Sequence, residues 1–316
     1  MAVLGIDIGG TKTIVAIADS NGDIIAQERI STPREHGPAV VLAHIKSTAC
    51  KLIEHNSAVI RAIGIGCGGP LDVERGIIYT APNLPGWENL HLAGYFSEAF
   101  GAPVFLDNDV TLAALGEARR GAGKSVDHFA YINLGTGVGG GIIIDGKIYR
   151  GCGNAGEFGH QIIIPDGPRC TCERKGCLES LVSGTSIARR AREFLAENQD
   201  SLILRYADSV ENVRTEHLVQ AARDGDDLAL QIWRDTGKYL GIGLANVINI
   251  LNPRKVIVGG GVMNASDLFL NTTQQTVDEC AMTQLAKDAE IIPAALGGQA
   301  GIVGAVYLAL ESVHVK

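Results

Sequence analysis

Two glycine-rich turns hold the residues of this sequence whose types and spacing could grip an anion. The first, Asp7-Ile-Gly-Gly-Thr-Lys12, ends an apolar strand over residues 3–8; the second, Leu134-Gly-Thr-Gly-Val-Gly-Gly140, follows one over 131–134. Each turn lies between two strands and carries a hydroxyl residue, Thr11 or Thr136, at its tip. Without Cβ atoms, Gly9, Gly10, Gly135 and Gly137 let several backbone N–H groups converge on one phosphate-like group, as backbone nests do. Two better-known phosphate motifs fail. A Walker loop needs G-x4-G-K-[ST], and counting from Gly5 puts Thr11 where the lysine must stand. Gly135–Gly140 satisfies G-x-G-x-x-G, but a dinucleotide site needs a helix next, and Gly141-Ile-Ile-Ile-Asp145 reads as a strand. A plain pair of tight hairpins, with Asp7 merely capping a turn, accounts for one loop more readily than for two matched ones.

Acidic and thiol groups supply the remaining chemistry. Asp107 and Asp109 close a strand over 104–106, just ahead of a helix over 113–120. Seven cysteines, an odd count with Cys170, Cys172 and Cys177 clustered, fit a reducing compartment and a metal better than a disulfide framework. Cys50, Cys67, Cys152 and Cys280 read as small core residues.

The elements that must position these groups follow from pattern and punctuation. A strand over 14–18, the hairpin turn Asn21-Gly22 and a strand over 24–30 follow the first loop. Residues 39–55 carry helical spacing, and 60–66 form a buried strand. The second loop continues as a strand over 142–144, so its unit echoes the first. Residues 183–198 and 215–251 are mainly helical, 255–258 run as a strand into Gly259-Gly260-Gly261, and a last helix over 300–311 packs back on the first domain. At 316 residues and 46% hydrophobic, the chain has length for two domains and core enough to fold without staples. Its net charge of −8 argues against nucleic acid, whose phosphates need a basic face. No apolar run of about 18 residues suggests a membrane span, the N-terminus lacks signal-peptide features, and the composition places the chain in the cytoplasm.

At this point the sequence resembles the ROK family (repressors, uncharacterised frames and sugar kinases) of the actin/hexokinase-like fold. The resemblance rests on both glycine loops, Asn108-Asp109, Ala155-Gly-Glu-Phe-Gly-His160, Cys170-x-Cys172…Gly176-Cys177-x-Glu179 and Val258-Gly-Gly-Gly261, in the family's order along the whole chain. It implies an α/β chain of two actin/hexokinase-like (ribonuclease H-like) domains, with mixed sheets flanked by helices and the active site in the interdomain cleft. The domains would be 1–120 with 300–316, and 121–299 with a zinc-binding segment. By resemblance, Asp7, Gly9, Gly10, Thr11 and Lys12 face the ATP phosphates and Mg2+. Gly135, Thr136 and Gly137 hold the other side, and Gly259 and Gly260 lie near the adenosine. The sugar site comprises Gly69, Asn83, Asn108, Asp109, Glu157, His160 and Glu179, with Asp109 as base; a sugar hydroxyl is a weak nucleophile until its proton is taken. His160, Cys170, Cys172 and Cys177 make a closed structural zinc shell. A homodimer is implied by resemblance alone.

The reaction so implied is ATP-dependent phosphorylation of a hexose at its 6-hydroxyl, glucose first, with N-acetylmannosamine or another N-acetylhexosamine as the alternative. Polyphosphate in place of ATP stays open. A sugar-responsive repressor would carry a helix-turn-helix before the first loop, where this sequence has six residues already in strand. Two residues depart from the family pattern. Val110-Thr111 replaces a small residue and a second Asn, and Glu173 stands where a glycine is usual, a strained choice if that position needs positive φ. Side chains at Gly10 or Gly137 are expected to weaken ATP and spare sugar, and loss of the metal to weaken sugar and spare ATP.

Overall fold

The computed structural model describes residues 2–197 and 200–314. Asn198, the end of the helical stretch expected over 183–198, and Val315 and Lys316, the end of the expected domain segment 300–316, lie outside the described residues. The chain divides into two compact units: Met1–Asp127 with Gly141–Gly156 and Ala295–Lys316, and His128–Gly140 with Glu157–Ala294. No helix among the described residues is long and apolar enough to cross a membrane.

The first unit begins with strands β1 (Ala2–Ile8), β2 (Lys12–Ala18) and β3 (Ile24–Ser31), then helix α1 (Gly37–His55) and strand β4 (Ile60–Cys67). A small sheet follows, made of β5 (Leu71–Asp72), β6 (Ile77–Thr80) and β7 (Glu88–His91). Helix α2 (Leu92–Phe100), strand β8 (Val104–Asn108) and helix α3 (Asp109–Arg120) complete this stretch. The main sheet runs β3-β2-β1-β4-β8, antiparallel on the β2 side of β1 and parallel on the β4 side. Leu4, Ile6 and Ile8 of β1 pack with Val41, Ile45 and Phe96 from α1 and α2. The opposite face is covered by the last helix, over Ala300–His314, whose Val306 packs with Val3. That helix sits so close that a Cβ on Gly64 would lie 1.9 Å from the Ala305 carbonyl oxygen. Strands buried on both faces read as continuous apolar runs, which is why β1 and β4 were plain in the sequence.

The next strands are β9 (Phe129–Leu134), β10 (Val138–Ile144) and β11 (Lys147–Ile148). Helices α4 (Glu179–Val182), α5 (Gly184–Glu197), α6 (Ile203–Ala207), α7 (Thr215–Arg223) and α8 (Asp227–Leu251) follow. Strand β12 (Lys255–Gly259), helices α9 (Ser266–Cys280) and α10 (Thr283–Asp288) and strand β13 (Glu290–Pro293) lead to the last helix, α11 (Ala300–His314). The second sheet has the order β11-β10-β9-β12-β13, with β12 parallel to β9 and β13, so the two sheets repeat one plan of a leading meander and parallel followers. The core of the second unit centres on α8, where Trp233 stacks on Phe269 at 5.7 Å.

Three boundaries differ from the sequence reading for local reasons. The helix expected at 113 starts at Asp109, because the Asn108 side chain accepts from the Val110 and Thr111 N–H groups and caps it. The helical stretch 215–251 breaks at Gly225, with φ of +85°, and restarts where Asp226 caps the Ala229 N–H. The segment from 183 is preceded by the short helix α4, which begins at Glu179.

Candidate active site

In the first unit, strand register brings the acidic groups together. Asp7 pairs with Gly66 and Gly66 with Asp107, while Ile8, Cys67 and Asn108 form the next row. The carboxyl ends of these parallel strands therefore meet, the usual place for a site in such sheets. A Cβ on Gly66 would lie 3.6 Å from both Asp7 Oδ1 and the Asp109 Cα, and one on Gly68 would lie 3.6 Å from Asp109 Oδ2. Burial first, and then the charge of Asp109, push the Asp7 carboxyl up to about 7 against the opposing pull of Lys12. Gly301, in the first turn of α11, abuts the same group: a Cβ there would be 2.7 Å from Asp7 Oδ2. Burial and the same two carboxylates raise the Cys67 thiol well above its ordinary value, so it is an inert core group.

Asp109 occupies the first turn of α3, where the helix dipole favours an anion, and its Oδ1 accepts from the Val110 N–H at 2.9 Å. Asn108 spends Oδ1 on the cap, so its Nδ2 is the group left to contact a ligand. Asp107 is different. It is 1% exposed, takes the Arg150 guanidinium on Oδ2 at 2.8 and 2.6 Å, and accepts from the Asn108 N–H. Burial raises its carboxyl, and Arg150 opposes that. Arg150 in turn receives the Gly153 and Ala155 N–H groups on its carbonyl. Sequence reading missed Arg150; an arginine just before Gly-Cys-Gly carries no spacing that ties it to a distant strand end. It also missed Glu117, fully buried on α3, whose oxygens accept from the N–H groups of Ala122, Ala295 and Leu296.

The first glycine loop closes through Gly9 N–H to the Lys12 carbonyl at 3.0 Å, and Thr32 Oγ1 donates to the Gly9 carbonyl. Asn83 lies against it: a Cβ on Gly10 would be 2.7 Å from the Asn83 Cβ and 3.0 Å from its carbonyl oxygen. Gly69 has φ of +110°, and a Cβ there would meet the Thr80 carbonyl oxygen at 2.0 Å, so its backbone alone demands glycine.

In the second unit, the loop Gly135–Gly137 is tied to the start of α5. Gly184 N–H donates to the Gly135 carbonyl at 2.9 Å, and Thr185 Oγ1 to the Thr136 carbonyl at 2.5 Å. Beside the loop opens a cavity of about 850 Å³, lined by Gly135, Thr136, Thr215, Gln220, Gly261 and Val262 among others. Gly261 borders it, whereas Gly259 and Gly260 face β9: Cβ atoms there would meet Tyr131 Oη at 2.3 Å and the Leu134 carbonyl at 2.2 Å.

His160, Cys170, Cys172 and Cys177 converge, their ligand atoms all within 4.8 Å of one another. Cys170 Sγ is 3.7 Å from His160 Nδ1, and Cys172 Sγ is 3.6 Å from Cys177 Sγ. Bonds of about 2.3 Å to sulfur and about 2.0 Å to nitrogen around a tetrahedral ion put such atoms roughly 3.5–3.8 Å apart, so the residues fit a zinc shell. For Cys172 burial is outweighed by the Arg174 N–H and the neighbouring thiols, which bring it down to about 7; burial and those thiols push Cys177 up to about 12. His160 offers Nδ1 to the cluster, and its Nε2 lies 3.8 Å from Glu157 Oε2. Glu173 does adopt the left-handed backbone, at φ of +70°. Each Glu179 oxygen already accepts one bond, Oε2 from the Val138 N–H and Oε1 from Thr171 Oγ1, both at 2.9 Å, and a carboxylate keeps further acceptor capacity beyond these. A Cβ on Gly137 would meet that carboxylate at 2.5 Å. A side chain at Gly10 or Gly137 therefore presses on Asn83 or Glu179, two residues expected at the sugar, as well as on any phosphate.

A sequence model of the ROK family matches residues 3–312. The chain is 37% identical over 310 residues to the glucokinase of Halalkalibacterium halodurans, across 96% of this chain and 94% of that one. It is 34% identical to the glucokinase of Thermotoga maritima, across 99% and 98% of the two chains. A ROK family glucokinase from Streptomyces griseus, solved with glucose and AMPPNP, superposes with a TM-score of 0.83 at 34% identity, covering 98% of this chain and all of that one.

Proposed function

The chain belongs to the ROK family, and we propose that it transfers the γ-phosphoryl group of ATP to the 6-hydroxyl of glucose. The observation that carries the reading is Asp109 on the first turn of α3, its carboxylate beside Gly68 and within electrostatic reach of Asp7. A carboxylate so placed takes the hydroxyl proton as the sugar oxygen attacks phosphorus, and little other covalent chemistry is asked of the protein. Asn108 through Nδ2, with Gly69 and Asn83, lines the acceptor side of the first unit. Glu157, Glu179 and His160 through Nε2 are read as the sugar contacts of the second, since ring hydroxyls are distinguished by donors and acceptors.

Asp7, Gly9, Gly10, Thr11 and Lys12 are read as facing the ATP phosphates, with Asp7 the carboxylate that would hold Mg2+. When bound, that ion neutralises charge building on the phosphoryl oxygens. Gly135, Thr136 and Gly137 take the donor phosphates through backbone N–H groups. The adjoining cavity supports ATP over polyphosphate, because its apolar lining from Val219, Val262 and Ala265 suits a nucleoside, which polyphosphate lacks. His160, Cys170, Cys172 and Cys177 would hold one structural zinc. A cytoplasmic homodimer completes the proposal, and light scattering against the chain mass of 33.3 kDa checks the dimer.

An ADP-release assay over glucose, mannose, fructose, N-acetylglucosamine and N-acetylmannosamine tests the reaction. The highest kcat/KM is expected for glucose. An N-acetylhexosamine in first place would overturn the substrate, and no ADP release with any sugar would overturn the activity.

A further inference from the structure

We infer that Thr171 is a positioning residue that couples the metal loop to the donor-phosphate loop through the Glu179 carboxylate. The inference rests on the reading of Gly135–Gly137 as the donor loop and of Glu179 as a sugar contact.

Glu179 opens α4, which places its carboxylate between two loops. Oε2 accepts from the Val138 N–H at 2.9 Å, at the end of the glycine loop. Oε1 accepts from Thr171 Oγ1 at 2.9 Å and lies 3.5 Å from Cys170 Sγ. The bare glycine at 137 makes the first contact possible, since a Cβ would stand 2.5 Å from Oε2. The backbone of the same short helix is secured too, as Ser186 Oγ donates to the Glu179 carbonyl at 2.8 Å. One carboxylate thus gives one oxygen to each loop.

Thr171 stands between two metal-ligating cysteines, so the cluster's geometry sets where its hydroxyl points. Of the two groups at Oε1, only the hydroxyl remains a donor in the metal-bound form. A metal-bound Cys170 is a thiolate with no proton to give, and its charge opposes that of the carboxylate. Removing the hydroxyl frees Oε1; the carboxylate then rotates about its own side chain, and the Val138 N–H loses its fixed acceptor. The expectation that the metal concerns sugar alone is thereby revised: what disturbs the metal loop reaches the donor loop by one side chain.

Thr171→Val keeps the shape and removes the donor; Thr171→Ser restores it. Zinc content by elemental analysis, hydrogen exchange of the Val138 amide, and calorimetric titration with AMPPNP and with glucose are measured on all three proteins. Thr171→Val is expected to keep its zinc, exchange Val138 faster, and bind both ligands roughly three- to tenfold more weakly, the modest range for a partly solvated bond to a charged acceptor. Thr171→Ser is expected to recover all three. Unchanged Val138 exchange in a zinc-loaded Thr171→Val protein would overturn the coupling. Loss of zinc from that variant would overturn it too, making Thr171 a support of the metal loop only. A wild-type protein that binds neither ligand sinks the functional reading instead, while Val138 exchange still judges the bridge.

Discussion

At the scale of single residues, Asp109 and Asp7 stand in separate surroundings that suit the separate roles proposed for them. Asp109 sits at a helix N-terminus, accepts a hydrogen bond from the Val110 N–H of its own turn, and lies within electrostatic reach of Asp7. Asp109→Asn keeps size and one acceptor but accepts no proton, so sugar affinity should survive while kcat drops by about 10²–10⁴. More than a tenth of the wild-type kcat in the variant would remove Asp109 from the role. Asp7 is raised from 3.8 to about 7 by burial and by Asp109. Its folded-state pKa lies above the unfolded one, so the folded protein binds the extra proton. The stability this contributes is complete below about pH 3.8 and is lost as pH rises through about 7. Without ligands, Asp7→Asn should therefore unfold at a higher temperature than wild type at pH 8, with the gap closing toward pH 5. Thermal melts over that range check the sign, and a gap that widens on acidification would contradict it.

At the scale of elements, caps and clasps place the chemistry. Asn108 starts α3 one residue before Asp109, the proposed base, and Glu117 near its end ties it to the N–H groups of Ala295 and Leu296, ahead of α11. Helix α11 then brings Gly301 against Asp7, so both ends of the acidic pair answer to the same two helices. The cysteine turn carries the opposite kind of feature. Glu173 at φ of +70° pays for its Cβ with strain of about 1–2 kcal/mol, of which glycine would lose part again through unfolded-state entropy. Glu173→Gly should raise the stability of the zinc-loaded protein by about 0.5–1 kcal/mol, read as a shifted urea midpoint at constant slope. A lower midpoint would mean that the Glu173 side chain makes a contact worth more than its strain.

At the scale of the whole molecule, local folding around the metal and ligand binding are expected to move together. Cys172→Ala removes one of the four proposed ligands, and binding of such a metal would itself be folding free energy for the loop that holds it. The variant should lose zinc, melt earlier, and lose affinity for glucose and for AMPPNP alike in whatever stays folded. Elemental analysis and calorimetry on the folded fraction distinguish this from a remote structural metal. That case predicts the earlier melt with both affinities intact.

The sequence by itself determined the parts that depend on short stretches of chain. Buried strands such as β1 and β4 appear as unbroken apolar runs, glycine turns declare themselves by composition, and three cysteines with a family motif mark a candidate metal loop. The same local information placed Asp109 and pointed to strain at Glu173. Pairing across long separations was decided only by the tertiary structure. Nothing near Arg150 reveals that Asp107, 43 residues earlier, holds its guanidinium. Nothing near Gly137 reveals Glu179 behind it. A buried carboxylate or guanidinium must find a partner, but chain folding chooses which one, because the cost of leaving a charge unpaired is the same whatever the sequence distance to its relief.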